Sequence, residues 1–291
     1  MLIAGAGDFS FDWALVQPSA SRFARVCSYD RAGLAWSDLG PTPRTMRQEA
    51  HELRELLRAA GVGPPYVLVG HSVGGLVARV YAARYPREVA GLVLVDSTTE
   101  DTTLSYQGRI LRVRETAKGR RVPGARTLAA GPPRPPTDDD LKQAELNRQV
   151  FGPPKIAPPF DRLPAPARAL RLWALSNQKL QAATDDFWAE ELREMHEARA
   201  RRPRQLDGLP LVTLVAALAG EPPPGVSAEE WARLAAGKRR QKEGLAGLSS
   251  RGRVVVAERS GHHVHLEEPA LVVEAVRQVV GSARRRARPG R

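Results

Sequence analysis

Gly70-His71-Ser72-Val73-Gly74 fits the pattern G-x-S-x-G. The apolar run Val67 to Val69 before it reads as a buried strand, and Gly75 to Tyr85 after it reads as a helix. A serine on a sharp strand-to-helix turn has its hydroxyl lifted above the sheet edge, where it can attack as a nucleophile. Gly70 and Gly74 carry no Cβ, so strand and helix can approach closely. The first amides of the following helix point at the same spot and can hold a developing oxyanion. Five residues alone are a weak signal; the strand–turn–helix setting makes this one specific.

A serine nucleophile needs a base. Ser260-Gly-His-His-Val-His-Leu266 follows the apolar run Arg253 to Ala257, which reads as a strand. A histidine in a loop at the carboxyl end of a parallel strand can reach such a serine, and imidazole suits the role because it titrates near neutrality. His262, His263 and His265 compete. His262 directly follows Gly261, where the loop can bend toward the site, and is placed first. The same histidines are a weak zinc signal, and no metal is expected. A carboxylate should orient the base. Asp96 closes the strand Ala90 to Val95, and Glu221 follows the strand Leu211 to Leu218. Both satisfy the order Ser, acid, His. Asp96 is placed ahead of Glu221, and Asp101 is a poorer option. The oxyanion amides are expected from Val73 and from Ala6 or Gly7 in the loop Gly5-Ala-Gly7. That loop also fits a plain flexible turn, and it lacks the third glycine of a dinucleotide-binding loop.

These residues need elements that bring them together. Strands at Met1 to Ala4, Arg25 to Tyr29, Val67 to Val69 and Ala90 to Val95 alternate with helices, of which Arg44 to Ala60 is the most regular. Met46, Ala50, Leu53, Leu57 and Ala60 recur there at helical spacing. Alternation of this kind implies an α/β fold with a mostly parallel central sheet and helices on both faces. From Thr98 to about Asp207 the alternation breaks. Proline-rich joints at Gly131 to Pro136, Gly152 to Pro154 and Pro158-Pro159 separate helical pieces at Leu170 to Leu180 and Phe187 to Arg201. The sequence therefore predicts a core in two parts, 1–97 and 208–283, with a helical cap at 98–207 and a basic disordered tail at 284–291. Ser227-Ala-Glu-Glu230 is a capping box, and Pro269 to Val280 should form the closing helix, stopped by Gly281.

Composition limits the alternatives. The chain has 291 residues and a formal charge of +12. The basic runs carry no interleaved aromatics and no nucleic-acid fold signature, so nucleic acid is not an expected partner. Leu2 to Ala6 is too short for a secretory core, and no apolar run is long enough to span a bilayer. A cytoplasmic location is expected. The lone Cys27 excludes an internal disulfide and a cysteine metal cluster, and reads as a buried thiol.

Three motifs together carry a resemblance: Gly70-His-Ser-x-Gly-Gly75, Tyr29-Asp-Arg-x-Gly33 and Ser260-Gly-His-x-x-x-Leu266. In them the chain resembles the α/β-hydrolase superfamily, in particular bacterial lid-bearing members. The likeness covers the first hundred and last eighty residues well and the cap poorly. It implies Ser72 as nucleophile and His262 as base. The family's usual acid position, in a Gly-x-x-Asp loop, is Pro223 here. Some members instead place the acid after the strand that follows the elbow, which matches Asp96. The family usually has an antiparallel hairpin before the oxyanion-loop strand. This sequence begins inside that strand, so the hairpin is expected to be missing, and Ala4-Gly5 stands where members often have His-Gly.

The resemblance implies a serine hydrolase that cleaves a carboxylic ester or related acyl compound through an acyl-enzyme, without a cofactor. An aspartate in place of Ser72 would have pointed to dehalogenase or epoxide hydrolase chemistry. The alternative is a ligand-binding or regulatory protein on the same fold with little turnover.

Overall fold

The computed structural model describes residues 1–106, 109–115, 137–139, 142, 154–176, 188–222 and 225–287. Five strands form the central sheet: β1 (Leu2–Ile3), β2 (Tyr66–His71), β3 (Val89–Val95), β6 (Leu211–Ala216) and β7 (Gly252–Ala257). They lie side by side in that order, and every pairing is parallel. Parallel strands buried on both faces should be continuous apolar runs, as Val89 to Val95 is.

The period of two sends alternate residues to opposite faces. Leu92 and Leu94 pack with Leu53, Leu57, Val77 and Tyr81. These come from helices α2 (Met46–Ala59) and α3 (Val73–Arg84). Val93 and Val95 pack on the other face with Trp13, Val272, Val276 and Val279. The last three belong to the closing helix α8 (Pro269–Ala287). Full burial of each such side chain contributes roughly 1.5–3 kcal/mol.

Two expectations are corrected. Arg25 to Tyr29 is not a strand: Ser28 alone bridges to Leu2, and the short helix α1 (Gln17–Ala20) precedes it. Gly281 does not stop α8, which continues to Ala287. A helical glycine costs only about 1 kcal/mol. Arg284 donates to the Phe23 carbonyl and Arg286 to that of Gly208, which anchors the extra turns. The first residues of the expected tail are therefore helical, and 288–291 lie outside the described residues.

Among the described residues, 98–207 includes the helices α4 (Ala165–Ser176) and α5 (Trp188–Arg201) and an antiparallel hairpin of β4 (Thr103–Tyr106) and β5 (Arg109–Arg112) that the sequence did not suggest. The expected joints at 131–136 and 152–153, and residues 177–180 and 187, lie outside the described residues. Helix α6 (Ala228–Glu243) starts as expected, with the Ser227 hydroxyl accepting from the Glu230 amide. The short α7 (Val264–Glu267) precedes α8. No helix among the described residues is long and apolar enough to cross a membrane.

Buried charge fastens α5 to the core. The Glu191 carboxylate accepts from the Met46 and Arg47 amides at the start of α2, where the helix dipole favours an anion. Glu100 receives Arg79 of α3 and Arg199 of α5, each at 2.8 Å. Burial alone would raise the Glu100 carboxyl, but the two guanidinium groups hold it down to about 2. Removing one partner from a buried pair leaves an uncompensated charge. Glu100→Gln should therefore cost about 3–5 kcal/mol of unfolding free energy near neutral pH, measured by denaturant melts. The charged carboxylate stabilises the fold fully above its ordinary value of 4.5 and loses that effect as pH falls from there toward 2. The gap between wild type and variant should close over the same window.

Candidate active site

The elbow forms as its glycines require. A Cβ on Gly70 would strike the Gly74 carbonyl, and one on Gly74 would strike the backbone of Ile3 in β1. Strand, helix and neighbouring strand thus meet backbone to backbone, and Ser72 is forced to φ 51° and ψ −121°. A non-glycine residue held at positive φ stores strain, which recurs at functional sites. The Ser72 amide donates to the Val95 carbonyl at 3.1 Å, and its carbonyl accepts from the Thr98 amide at 3.0 Å. Its hydroxyl lies 3.4 Å from that of Thr98. Val73 is the first residue of α3, so its amide has no partner inside the helix.

The Gly5-Ala-Gly7 loop leaves the end of β1 beside this turn. The contacts of Gly5 show how close it lies. A methyl there would stand 2.7 Å from Asp8 Oδ2, 2.9 Å from His71 Nδ1 and 3.2 Å from Ser72 Cβ. Arg31 fixes the loop from behind, donating to the carbonyls of Ala4 at 2.6 Å and Gly5 at 2.8 Å, and it pairs with Glu49 at 3.5 Å. Asp30 does not pair with Arg31. It accepts from the amide and hydroxyl of Ser10.

The histidine loop closes the other side. His262 Nδ1 lies 2.6 Å from Asp96 Oδ2. Asp96 sits at the end of β3 with φ 40°, and its Oδ1 accepts from the Ala216 amide of β6 at 3.0 Å. Burial would raise the Asp96 carboxyl, but the His262 hydrogen bond and the Lys242 charge hold it well below the usual carboxylate range. Desolvation of its inner side lowers His262 below 6.5 although the side chain is 45% exposed, with the Asp96 hydrogen bond opposing. His263 falls to about 4 through burial and the nearby His71. His265 is fully buried and stacks on Trp13 at 4.7 Å between ring centroids. Glu221 is exposed in the loop after β6. Asp101 pairs with Arg114 and His196 instead. Of the candidate acids and bases, the structure brings together Asp96 and His262; the His262 ring stacks on His71, the residue before Ser72, while the Ser72 hydroxyl faces that of Thr98.

Several site residues were missed in the sequence. His71, the variable residue of the elbow, stacks on His262 with ring centroids 4.7 Å apart. Its Nε2 donates to the His262 carbonyl at 2.9 Å, and its Nδ1 faces Asp8 Oδ2 at 3.1 Å. The Glu267 carboxylate accepts from the Gly261 amide, and that of Glu268 accepts from the Arg259 amide and the Ser260 hydroxyl. The signal for these was their place inside or directly after a motif. Lys242, which touches Asp96 Oδ2 from α6, gave no signal. Asp8, His71 and His265 lie close enough to surround a cation. Both ring nitrogens of His71 already serve acceptors, and Arg171 Nη2 stands 3.5 Å from Asp8 Oδ1, so a cation would have to displace these contacts.

A cavity of ≈ 340 Å³ opens elsewhere, at the opposite ends of the strands, lined by Met1, Cys27, Tyr66, Val67 and Val280. It has no part in this site.

A family model described as alpha/beta hydrolase fold matches residues 2–119. An AB hydrolase superfamily protein of Gibberella zeae is 39% identical over 94 residues, covering 31% of this chain and 29% of that protein. An uncharacterized protein of Schizosaccharomyces pombe is 42% identical over 96 residues, 33% of this chain. The matched stretch spans 18% of the Schizosaccharomyces pombe protein's own length. A thermophilic esterase from Thermogutta terrifontis superposes with a TM-score of 0.58 at 23% identity, covering 97% of this chain and 89% of that one. The epoxide hydrolase CorEH does so at 0.59 and 18%, covering 96% and 90%. At these identities the likeness to the two structures is one of fold.

Gly5→Ala tests the packing of the glycine loop. The added methyl should cost roughly 1–3 kcal/mol in a denaturant melt, as overpacking does.

Proposed function

We propose that this chain is a serine hydrolase of the α/β-hydrolase superfamily, acting on a carboxylic ester or related acyl compound; the family model that matches residues 2–119 supports this reading. One observation carries the reading. The His262–Asp96 hydrogen bond of 2.6 Å joins the loop after β7 to the end of β3, and the His262 ring stacks on His71, the residue before a serine at positive φ. With Nδ1–H donated to Asp96, the lone pair of His262 Nε2 is free to take a proton. In this reading Nε2 takes the Ser72 proton as Oγ attacks the acyl carbon, and the imidazolium is stabilised by the Asp96 carboxylate. The oxyanion accepts from the amides of Val73 and Ala6. His262 then delivers the proton to the leaving oxygen. Water, activated by the same nitrogen, releases the acid from Ser72. The close contact of Gly5 with Ser72 supports the glycine loop as the second amide source.

The substrate is a small molecule in this reading, and no step calls for a cofactor. A binding protein of the same fold with little turnover is the competing reading. It is distinguished by retained ligand binding without covalent reaction.

Fluorophosphonate labelling is the direct test, because the probe reacts only with a serine activated by a working base and oxyanion hole. Labelling should occur in the wild type and vanish in Ser72→Ala. A folded wild-type protein that takes no label would overturn the reading. Asp96→Asn should lower kcat toward an ester by about 10³–10⁴, because it reverses the tautomer that His262 needs. Glu221→Gln should stay within about twofold, as expected of an exposed side chain.

A further inference from the structure

We propose that Lys242 is a positioning residue of this site, acting on His262 through the carboxylate of Asp96. The inference rests on the serine-hydrolase reading. Lys242 Nζ and His262 Nδ1 meet the same oxygen, Asp96 Oδ2, while Oδ1 takes the Ala216 amide. Both oxygens of a carboxylate that is 2% exposed are thereby committed. A Ser-His-Asp arrangement needs only the imidazole and backbone donors on its acid. Here an ammonium on α6 is added.

The addition changes the charge balance. Without the lysine, carboxylate and neutral imidazole sum to −1, and forming the imidazolium brings them to zero. With the lysine, the same step runs from zero to +1. The imidazolium is therefore less favoured, and His262 stays unprotonated, ready to act as base, to lower pH. The ammonium also fixes the Asp96 rotamer that receives Nδ1–H.

The other groups around His262 do not supply this effect through Asp96. His71 faces it from β2, His263 from its own loop, and Glu267 binds the amide of Gly261. Lys238, one turn earlier on α6, lies over the Trp231 ring. Among the described residues, Lys242 is the cation in contact with the acid. Its nearness lowers His262, in the same direction as burial.

The test follows the His262 imidazole by NMR titration in wild type, Lys242→Met and Lys242→Arg, beside the pH profile of fluorophosphonate inactivation. Removing a positive charge favours the imidazolium, so Lys242→Met should raise the His262 midpoint by roughly one pH unit. The acid limb of the inactivation profile should move up with it. Lys242→Arg should return both toward wild type. If Lys242→Met fails to fold, Lys242→Gln carries the same expectation. A His262 midpoint unchanged in a folded, charge-free variant overturns the proposal, as does a shift that Lys242→Arg leaves in place. A purely structural ion pair would move the melting temperature and leave the midpoint alone. Absence of labelling in the wild type would sink the serine-hydrolase reading, and the NMR midpoint would still decide the coupling of Lys242 to His262.

Discussion

The buried carboxylate of Asp96 is where the separate parts of this molecule meet. It closes β3, receives the backbone of β6, and contacts α6 and the loop after β7. A charged group so deep must find its partners or cost several kcal/mol. Each partner comes from a different element. The arrangement of Ser72, His262 and the glycine loop therefore depends on how the sheet ends are registered around this one group. The second constraint is steric. Gly70 and Gly74 let three backbones touch, which gives the elbow its positive φ.

The parts of the fold legible in the sequence are those set by short-range rules. Val89 to Val95 reads as a buried strand because a parallel strand covered on both faces must be apolar throughout. The α2 and α8 faces read from helical periodicity. Arg25 to Tyr29 misled because an apolar run has no register of its own. It lies beside two-residue β1, and only Ser28 finds a bridge. Gly281 misled because its weak helix-breaking tendency is outweighed by packing of Val276 and Val279 and by arginine contacts beyond it.

The site was legible where it sits inside motifs and ambiguous where it is assembled across the chain. Asp96 and Glu221 both follow strands, and strand-end position alone does not separate them. The separation comes from where each side chain stands in three dimensions. Lys242 belongs to the run Lys238 to Lys242, which reads as a solvated basic face. Arg31, Arg79 and Arg171 are likewise drawn into the structure, where they are buried and paired. Part of the charge of +12 is thus spent inside the molecule, so it does not describe a uniform surface field.

The long spans joined at Asp96 bear on how the chain reaches its native state. Its contacts with Lys242 and His262 link residues 146 and 166 apart, and His71 meets the His262 carbonyl across 191. Contacts this distant carry a loop-closure entropy cost that slows folding. The strands β1 to β3 can pair among themselves without them. Until β6 docks, β3 presents an unpaired apolar edge at Leu92 to Val95, the stretch that later takes Leu211 to Leu214. Such an edge is a template for association with other chains. The ordering of the base loop and the burial of that edge both require docking of the chain from Leu211 onward. Substitutions that slow it should reveal themselves as poor yield of native protein, even where the finished fold tolerates them.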